Sequence, residues 1–296
     1  MTLSKLKGKT FFPILVLIFL SIIWGISFLL IKKGLLAFSP MQVAALRIVF
    51  ASAVLFPIAI KHINIEFKIY WKQIIFLGLI SNLIPAILFA EAQTKINSSL
   101  AGMLNSLVPI FTMIIGVLFY KIKINFLLSM GLLIGLIGSV VLSFVSSEGN
   151  LGVFNFYALY VIMATILYGI SGNMIKGMVQ KIRPTILISL QLLAMSPIAI
   201  IILINTNIYS SVVTNENAMF SLGSLFILGA IGTALAGSIF INLVKHTSAL
   251  FASATTYLIP ITAIIVGLLD DEVLFPLHFV GIGLIIVGVI IINKFR

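Results

Sequence analysis

The sequence predicts an all-α membrane protein with ten transmembrane helices arranged as two inverted five-helix repeats. Three observations carry that expectation. Of the 296 residues, 61% are apolar and 8% are charged, against about a quarter charged in soluble domains, which excludes the water-soluble classes. The apolar residues run continuously for about 20 positions at a time, the length of one bilayer-crossing helix, and lack the alternation over about ten residues of a barrel strand. The second half of the chain also repeats landmarks of the first.

Ten apolar runs lie near residues 11–31, 41–60, 73–92, 99–119, 126–145, 154–175, 185–205, 221–241, 250–269 and 277–293. The first follows Lys5, Lys7 and Lys9 and so begins like a secretory leader. It is too long for the apolar part of one, and no small-residue cleavage pattern follows, so it is expected to be a true span. The net charge of +11 is spread over short connections and makes no basic stripe, which argues against nucleic acid as a partner. With the spans numbered in order, fourteen Lys and Arg fall on the N-terminal side. Three (Lys32, Lys33 and Lys95) fall on the other side, and Arg47 lies inside a span. Excess cation marks the cytoplasmic face, so both termini are expected there, in a multi-pass protein of the inner membrane.

The repeat divides the chain at residues 1–153 and 154–296. A shift of 144 sets Trp24-Gly25-Ile26-Ser27 on Tyr168-Gly169-Ile170-Ser171, Lys32 on Lys176 and Pro40 on Pro184. A shift of 151 then sets Gly78 on Gly229, Phe89 on Phe240, Pro109 on Pro260 and Gly116 on Gly267. Five spans per half is an odd number, which inverts the second half. The basic loop Tyr120-Lys121-Ile122-Lys123 accordingly aligns with the acidic Asp271-Glu272-Val273-Leu274, as equivalent loops on opposite faces should. Inverted repeats of this kind build secondary transporters with a midplane site between the halves.

Trp24-Gly25 with Ser27-Phe28, then Lys32, Pro40 and Ala45-Leu46-Arg47, resemble the first two spans of the EamA-like family of the drug/metabolite transporter superfamily. Gly229-Ala230-Ile231-Gly232-Thr233-Ala234-Leu235-Ala236 is similar to its eighth span. Pro260, Gly267, Glu272, Pro276 and Gly281-Ile282-Gly283 are similar to its ninth and tenth. Family members often carry Gly-Glu after the fourth and ninth spans. Here Asp271 precedes Glu272, and Lys121 stands at the other acidic position. The resemblance implies a ten-helix transporter of small metabolites, often an exporter.

Depth along the spans selects the candidate site. Asn82 lies ten residues beyond Lys72, about 15 Å in, near the middle of the apolar core. A buried carboxamide needs a partner, and both a helix–helix hydrogen bond and a substrate contact satisfy it. Trp24 and Tyr168 lie about 20 Å from their span entrances, away from the interfacial aromatic belts. They are candidate cavity walls, with core packing as the alternative. Asn105 with Pro109 aligns with Thr256 and Pro260, beside Tyr257. Proline removes a backbone donor, so these two spans are expected to kink, and paired interruptions point to a transporter site. The expected substrate-binding residues are Trp24, Asn82, Asn105, Tyr168, Thr256 and Tyr257, with Pro109, Pro260 and Arg47 in hinge or gating roles. Arg47 could also snorkel or meet an anion.

Glu91 is expected at the outer interface, paired with Lys95 at i+4. Lys32 and Lys176 are expected to anchor span ends. Gly131, Gly135 and Gly138, with Gly281, Gly283 and Gly288, let helices approach closely, within the bundle or at a homodimer face. There is no cysteine, which excludes disulfides and thiolate chemistry. His62, His246 and His278 show no metal-ligand spacing. No nucleophile–base motif or phosphate cradle appears, so neither enzyme activity, a metal nor a cofactor is expected. The partners expected are the lipid bilayer and a small solute. Neutral amides, hydroxyls and aromatic rings suit an uncharged, aromatic or zwitterionic solute better than a multiply charged one. Export is expected, with import and a non-transporting, channel-like protein as alternatives.

Overall fold

The computed structural model describes residues 11–120, 126–144 and 155–294, all helical or connecting. The first half runs α1 (Phe11–Gly34), α2 (Pro40–His62), α3 (Lys68–Gly78), α4 (Ile84–Ala92), α5 (Ser98–Asn105), α6 (Val108–Tyr120) and α7 (Phe126–Ser143). The second runs α8 (Phe156–Met178), α9 (Pro184–Asn205), α10 (Ile208–Thr214), α11 (Ala218–Ile227), α12 (Ala236–His246), α13 (Ala249–Ser253), α14 (Thr255–Leu269) and α15 (Pro276–Lys294). Three π-helical segments, Ile63–Phe67, Leu79–Leu83 and Leu228–Leu235, join α2 to α3, α3 to α4 and α11 to α12.

Seven helical stretches are long and apolar enough to cross a membrane, and shorter apolar helices lie at Leu133–Leu142 and Pro276–Gly288. One of the seven, Pro40–Ala92, has 53 residues. At about 1.5 Å per residue it is far longer than one bilayer core of about 30 Å. Non-helical dihedrals at His62 (φ −112°, ψ 2°) and Tyr70 (φ −117°, ψ 21°) break its direction. The helical hydrogen bonding therefore continues through the segment where the sequence suggests a separate loop.

Helix starts follow from local chemistry. Ser39 opens α2 with a reciprocal capping box to Gln42, Asn97 accepts from the Leu100 amide to open α5, and Ser248 does the same for α13 through Phe251. Each satisfies an amide that the first helical turn leaves unbonded. The central core includes Leu20, Ile48, Ile74, Met103, Leu104 and Leu187, all fully buried. The outer surface is apolar too, with Phe19, Ile137, Ile201 and Ile204 exposed. Large apolar surface facing outward fits a lipid solvent.

Gly138 and Gly288 sit where α7 and α15 meet. A Cβ on Gly138 would lie 2.6 Å from the Gly281 carbonyl oxygen, and one on Gly288 would lie 2.5 Å from that of Gly131. The glycines therefore set how closely α7 and α15 approach.

A cavity between the two halves

A cavity with about 1000 Å³ of empty space, its open mouth included, lies among α1, α2, α4–α6, α8, α9 and α12–α14. Both π segments near the middle of the chain halves reach it, through Ser81 and Asn82 in one and Gly232 and Thr233 in the other. A π turn adds a residue to the helical turn and shifts which side chains face inward, and such turns recur at functional sites.

The walls are built from contacts that cross between halves in matched pairs. Trp24 packs on Phe240 with ring centroids 5.3 Å apart, and Tyr168 stacks on Phe89 at 6.1 Å. Trp24 and Tyr168 are related by the shift of 144, and Phe89 and Phe240 by the shift of 151. The polar contacts obey the same rule. Arg47 Nε donates to Thr233 Oγ1 at 2.6 Å, and Asn82 Nδ2 donates to Gln191 Oε1 at 3.2 Å. Residue 191 is the counterpart of 47, and residue 233 of 82.

Close backbone approaches repeat the pattern. A Cβ on Gly78 would lie 3.0 Å from the Gln191 carbonyl oxygen, and one on Gly229 would lie 2.8 Å from that of Arg47. A Cβ on Gly25 would strike Thr262, and one on Gly169 would strike Phe111, again a pair related by both shifts.

Arg47 is the one ionisable cation among the lining residues, and no carboxylate lines the cavity. No carboxylate pairs with Arg47 among the described residues. Two buried polar atoms in the wall lack a hydrogen-bond partner, Asn105 Oδ1 and Gln191 Nε2. Proline at 109 and at 260 supplies no amide to the residue four positions earlier. Those residues are Asn105 and Thr256, both in the wall, so each carbonyl there lacks its ordinary helical donor.

Of the residues expected at the site, Trp24, Asn82, Asn105, Tyr168 and Thr256 line the cavity, and Arg47 lines it with them. Asn82 makes the helix–helix hydrogen bond foreseen for it, to Gln191 across the halves, and also lines the cavity. Tyr257 packs against the hydrophobic core and is not among the lining residues. Pro109 and Pro260 are buried behind the wall. The helix breaks at Ser106–Leu107, just before Pro109, whereas Pro260 lies inside α14, with the break at Ala254. Thr233, Phe89 and Phe240 belong to the wall without having been singled out. The shift of 151 applied to Asn82 gives Thr233, whereas Phe89 and Phe240 are images of each other and of no candidate.

Glu91 and Lys95 make no ion pair among the described residues. The i+4 spacing assumed a continuous helix, but α4 ends at Ala92 and the chain turns through Gln93. Lys32 and Lys176 are more than anchors. Lys176 Nζ donates to the carbonyls of Val244, Lys245 and Thr247 at 3.0, 3.2 and 2.6 Å, closing the end of α12. Lys32 pairs with Asp270 at 2.6 Å and Glu272 at 3.1 Å, while Lys33 pairs with Asp270.

Glu272 also accepts from the Ser98 and Ser99 amides, each at 2.9 Å, and from Ser99 Oγ at 2.7 Å. It thereby ties the start of α5 to the ends of α1 and α14. Burial alone would raise the Glu272 pKa, but the bonds from Ser99, Ser98 and Lys32 outweigh it and hold the carboxyl below its ordinary value. Asp270 is held low in the same way by Lys32 and Lys33, against its own desolvation. A second cavity, lined by Tyr120, Asn173, Lys176 and Gln180, shares Thr112 and Ala249 with the first.

Residues 11–144 and 155–294 each match the EamA-like transporter family. An uncharacterized transporter of Archaeoglobus fulgidus is 25% identical over 275 residues, covering 92% of this chain and 95% of that one. The uncharacterized inner membrane transporter YedA of Escherichia coli K12 is 24% identical over 282 residues, covering 93% and 88%. A solved crystal structure shares the fold with a TM-score of 0.62 at 14% identity, over 94% of this chain and 95% of that one. The double match spans nearly the whole sequence, and the chain belongs to the EamA-like transporter family.

Proposed function

We propose that the chain is a secondary-active transporter that exports a small metabolite by alternating access. The observation that carries this is the set of crossed pairs around the cavity: Trp24–Phe240 with Tyr168–Phe89, and Arg47–Thr233 with Asn82–Gln191. Two halves that meet through equivalent contacts have two equivalent ways to close, one toward each face, and a site between them is exposed alternately. The reading takes residues 1–153 and 154–296 as inverted five-span repeats, ten spans in all, with both termini cytoplasmic. The inner-membrane relative YedA and the lysine and arginine asymmetry support that placement.

In this reading Trp24, Asn82, Asn105, Tyr168 and Thr256 contact the solute, and the breaks before Pro109 and at Ala254 flex. The lining offers amides, hydroxyls and aromatic rings with a single charge, which suits an amino acid or related small metabolite better than a multiply charged one. The second cavity gives a vestibule on the cytoplasmic side, and the Lys32–Asp270–Glu272 cluster closes the other end.

The test is untargeted metabolite profiling of cells and medium with and without the protein, with the Trp24→Ala, Asn82→Ala double variant as control. A metabolite lost inside and gained outside only with the intact protein is the expected result. Accumulation inside reverses the direction. Unchanged pools, or full flux through a correctly inserted double variant, would overturn transport through this cavity.

A further inference from the structure

We propose that Arg47 is the anchor for a single carboxylate on the transported solute, making the protein selective for organic monocarboxylates with an apolar body. This rests on the transport reading above and deepens it.

Arg47 sits in α2, about a third of the way along its helix. Its Nε is committed to Thr233 Oγ1, and this contact leaves the terminal nitrogens for an incoming group. That cation has no carboxylate partner among the described residues and lines the cavity. A charge kept in an apolar interior is costly unless it meets an opposite charge. An anion supplied by the solute meets that requirement only while the solute is bound.

Three further features fit the same occupant. Gln191, the counterpart of Arg47 across the repeat, is fully buried, and its Nε2 has no acceptor. It is a second donor in the wall, and a neutral one. Asn105 is 5% exposed, and its Oδ1 has no donor, so it can accept from a hydroxyl or amine near the carboxylate. The aromatic rings of Trp24, Tyr168 and Phe240 supply an apolar surface for the rest of the molecule. One cation among neutral donors matches one negative charge, and a phosphate monoester or dicarboxylate would bring a second charge with nothing to meet it.

The test uses acid and amide pairs that differ only in charge: 3-phenylpropionate with 3-phenylpropionamide, 3-phenyllactate with 3-phenyllactamide, and hexanoate with hexanamide. Binding to the purified full chain is read from the ligand-dependent rise in melting temperature, and transport from counterflow in proteoliposomes. At least one acid is expected to bind about tenfold or more tightly than its amide, the scale of a hydrogen bond to a charged group. Arg47→Gln should abolish that preference. Arg47→Lys should keep part of it, because a point charge remains while the planar fork is lost, and this variant serves if Arg47→Gln does not fold.

Equal binding of acids and amides across the panel, no binding of any acid, or a preference that survives Arg47→Gln would each overturn the anchor. The two readings fail separately. Acids that bind through Arg47 without counterflow leave the anchor standing and remove transport. Flux of a solute without a carboxylate, unaffected by Arg47→Gln, leaves transport standing and removes the anchor.

Discussion

Glu272→Ala is the substitution that should damage the folded protein most for the least change in volume. The Glu272 side chain is 3% exposed, and its carboxylate accepts four hydrogen bonds: two from the Ser98 and Ser99 amides, one from Ser99 Oγ and one from Lys32. Ser98 and Ser99 are themselves buried, so water does not easily replace the lost acceptor. Each orphaned amide at the start of α5 costs about 1–3 kcal/mol, and the pair with Lys32, whose side chain is 35% exposed and keeps Asp270 as a partner, adds about 0–1 kcal/mol. The two amides set the total expected, about 2–6 kcal/mol.

On the scale of soluble domains this lowers the melting temperature by on the order of 10 °C. Thiol-reactive dyes are useless without cysteine, so the assay is intrinsic fluorescence from Trp24 and Trp71 during heating in detergent. Lys33→Met is the control, because its pair with Asp270 is partly solvated and such pairs contribute about 0–1 kcal/mol. If Glu272→Ala melts within about 2 °C of the parent, or if Lys33→Met is equally damaging, the carboxylate is not the cap described here.

Acid should act on the same cluster. The folded pKa values of Glu272 and Asp270 lie below their ordinary values. Their contribution is therefore present above the unfolded carboxylate range, near pH 4, and is lost as pH falls through the depressed folded values. Melting temperatures from pH 7 down to 3 should show this loss, and Glu272→Gln should flatten it. Gly229→Ala forces a Cβ to 2.8 Å from the Arg47 carbonyl oxygen, so it should cost about 1–3 kcal/mol by overpacking. Gly177→Ala meets nothing within 4 Å and should be neutral or raise the melting point slightly through helix propensity. Trp24→Phe keeps the ring against Phe240 but removes the 2.9 Å bond from Nε1 to the Gly232 carbonyl, and should reduce transport less than Trp24→Ala does in a counterflow assay.

Much of the fold is legible in the sequence because a bilayer imposes one length and one polarity on every crossing segment. The apolar runs therefore lie on the observed helices. The cavity wall is legible for a different reason. A polar or large aromatic residue deep in an apolar run needs a partner or a cavity, and Trp24, Asn82, Asn105, Tyr168 and Thr256 are such residues, each in the observed wall. Tyr257 is where that logic stops. It neighbours Thr256 in sequence, but successive residues on a helix point about 100° apart, and this one turns toward the core.

The π turns leave no comparable trace. Leu79–Leu83 and Leu228–Leu235 differ from α-helix by one extra residue per turn, which composition does not announce, and the consequence is tertiary. The turn at Leu228–Leu235 brings Thr233 to Arg47, 186 residues away in sequence. The turn at Leu79–Leu83 brings Asn82 to Gln191. The two turns are related by the same shift of 151 that aligns Gly78 with Gly229. Duplication thus carries information that local sequence lacks: once one half shows a helix irregularity beside a polar residue, the shift locates its counterpart. Among the lining residues, the counterparts that differ in charge are Arg47 and Gln191. A cavity otherwise built from matched halves is made electrostatically one-sided at that pair. Substitution at residue 47 should therefore alter solute selectivity more than the same change at residue 191.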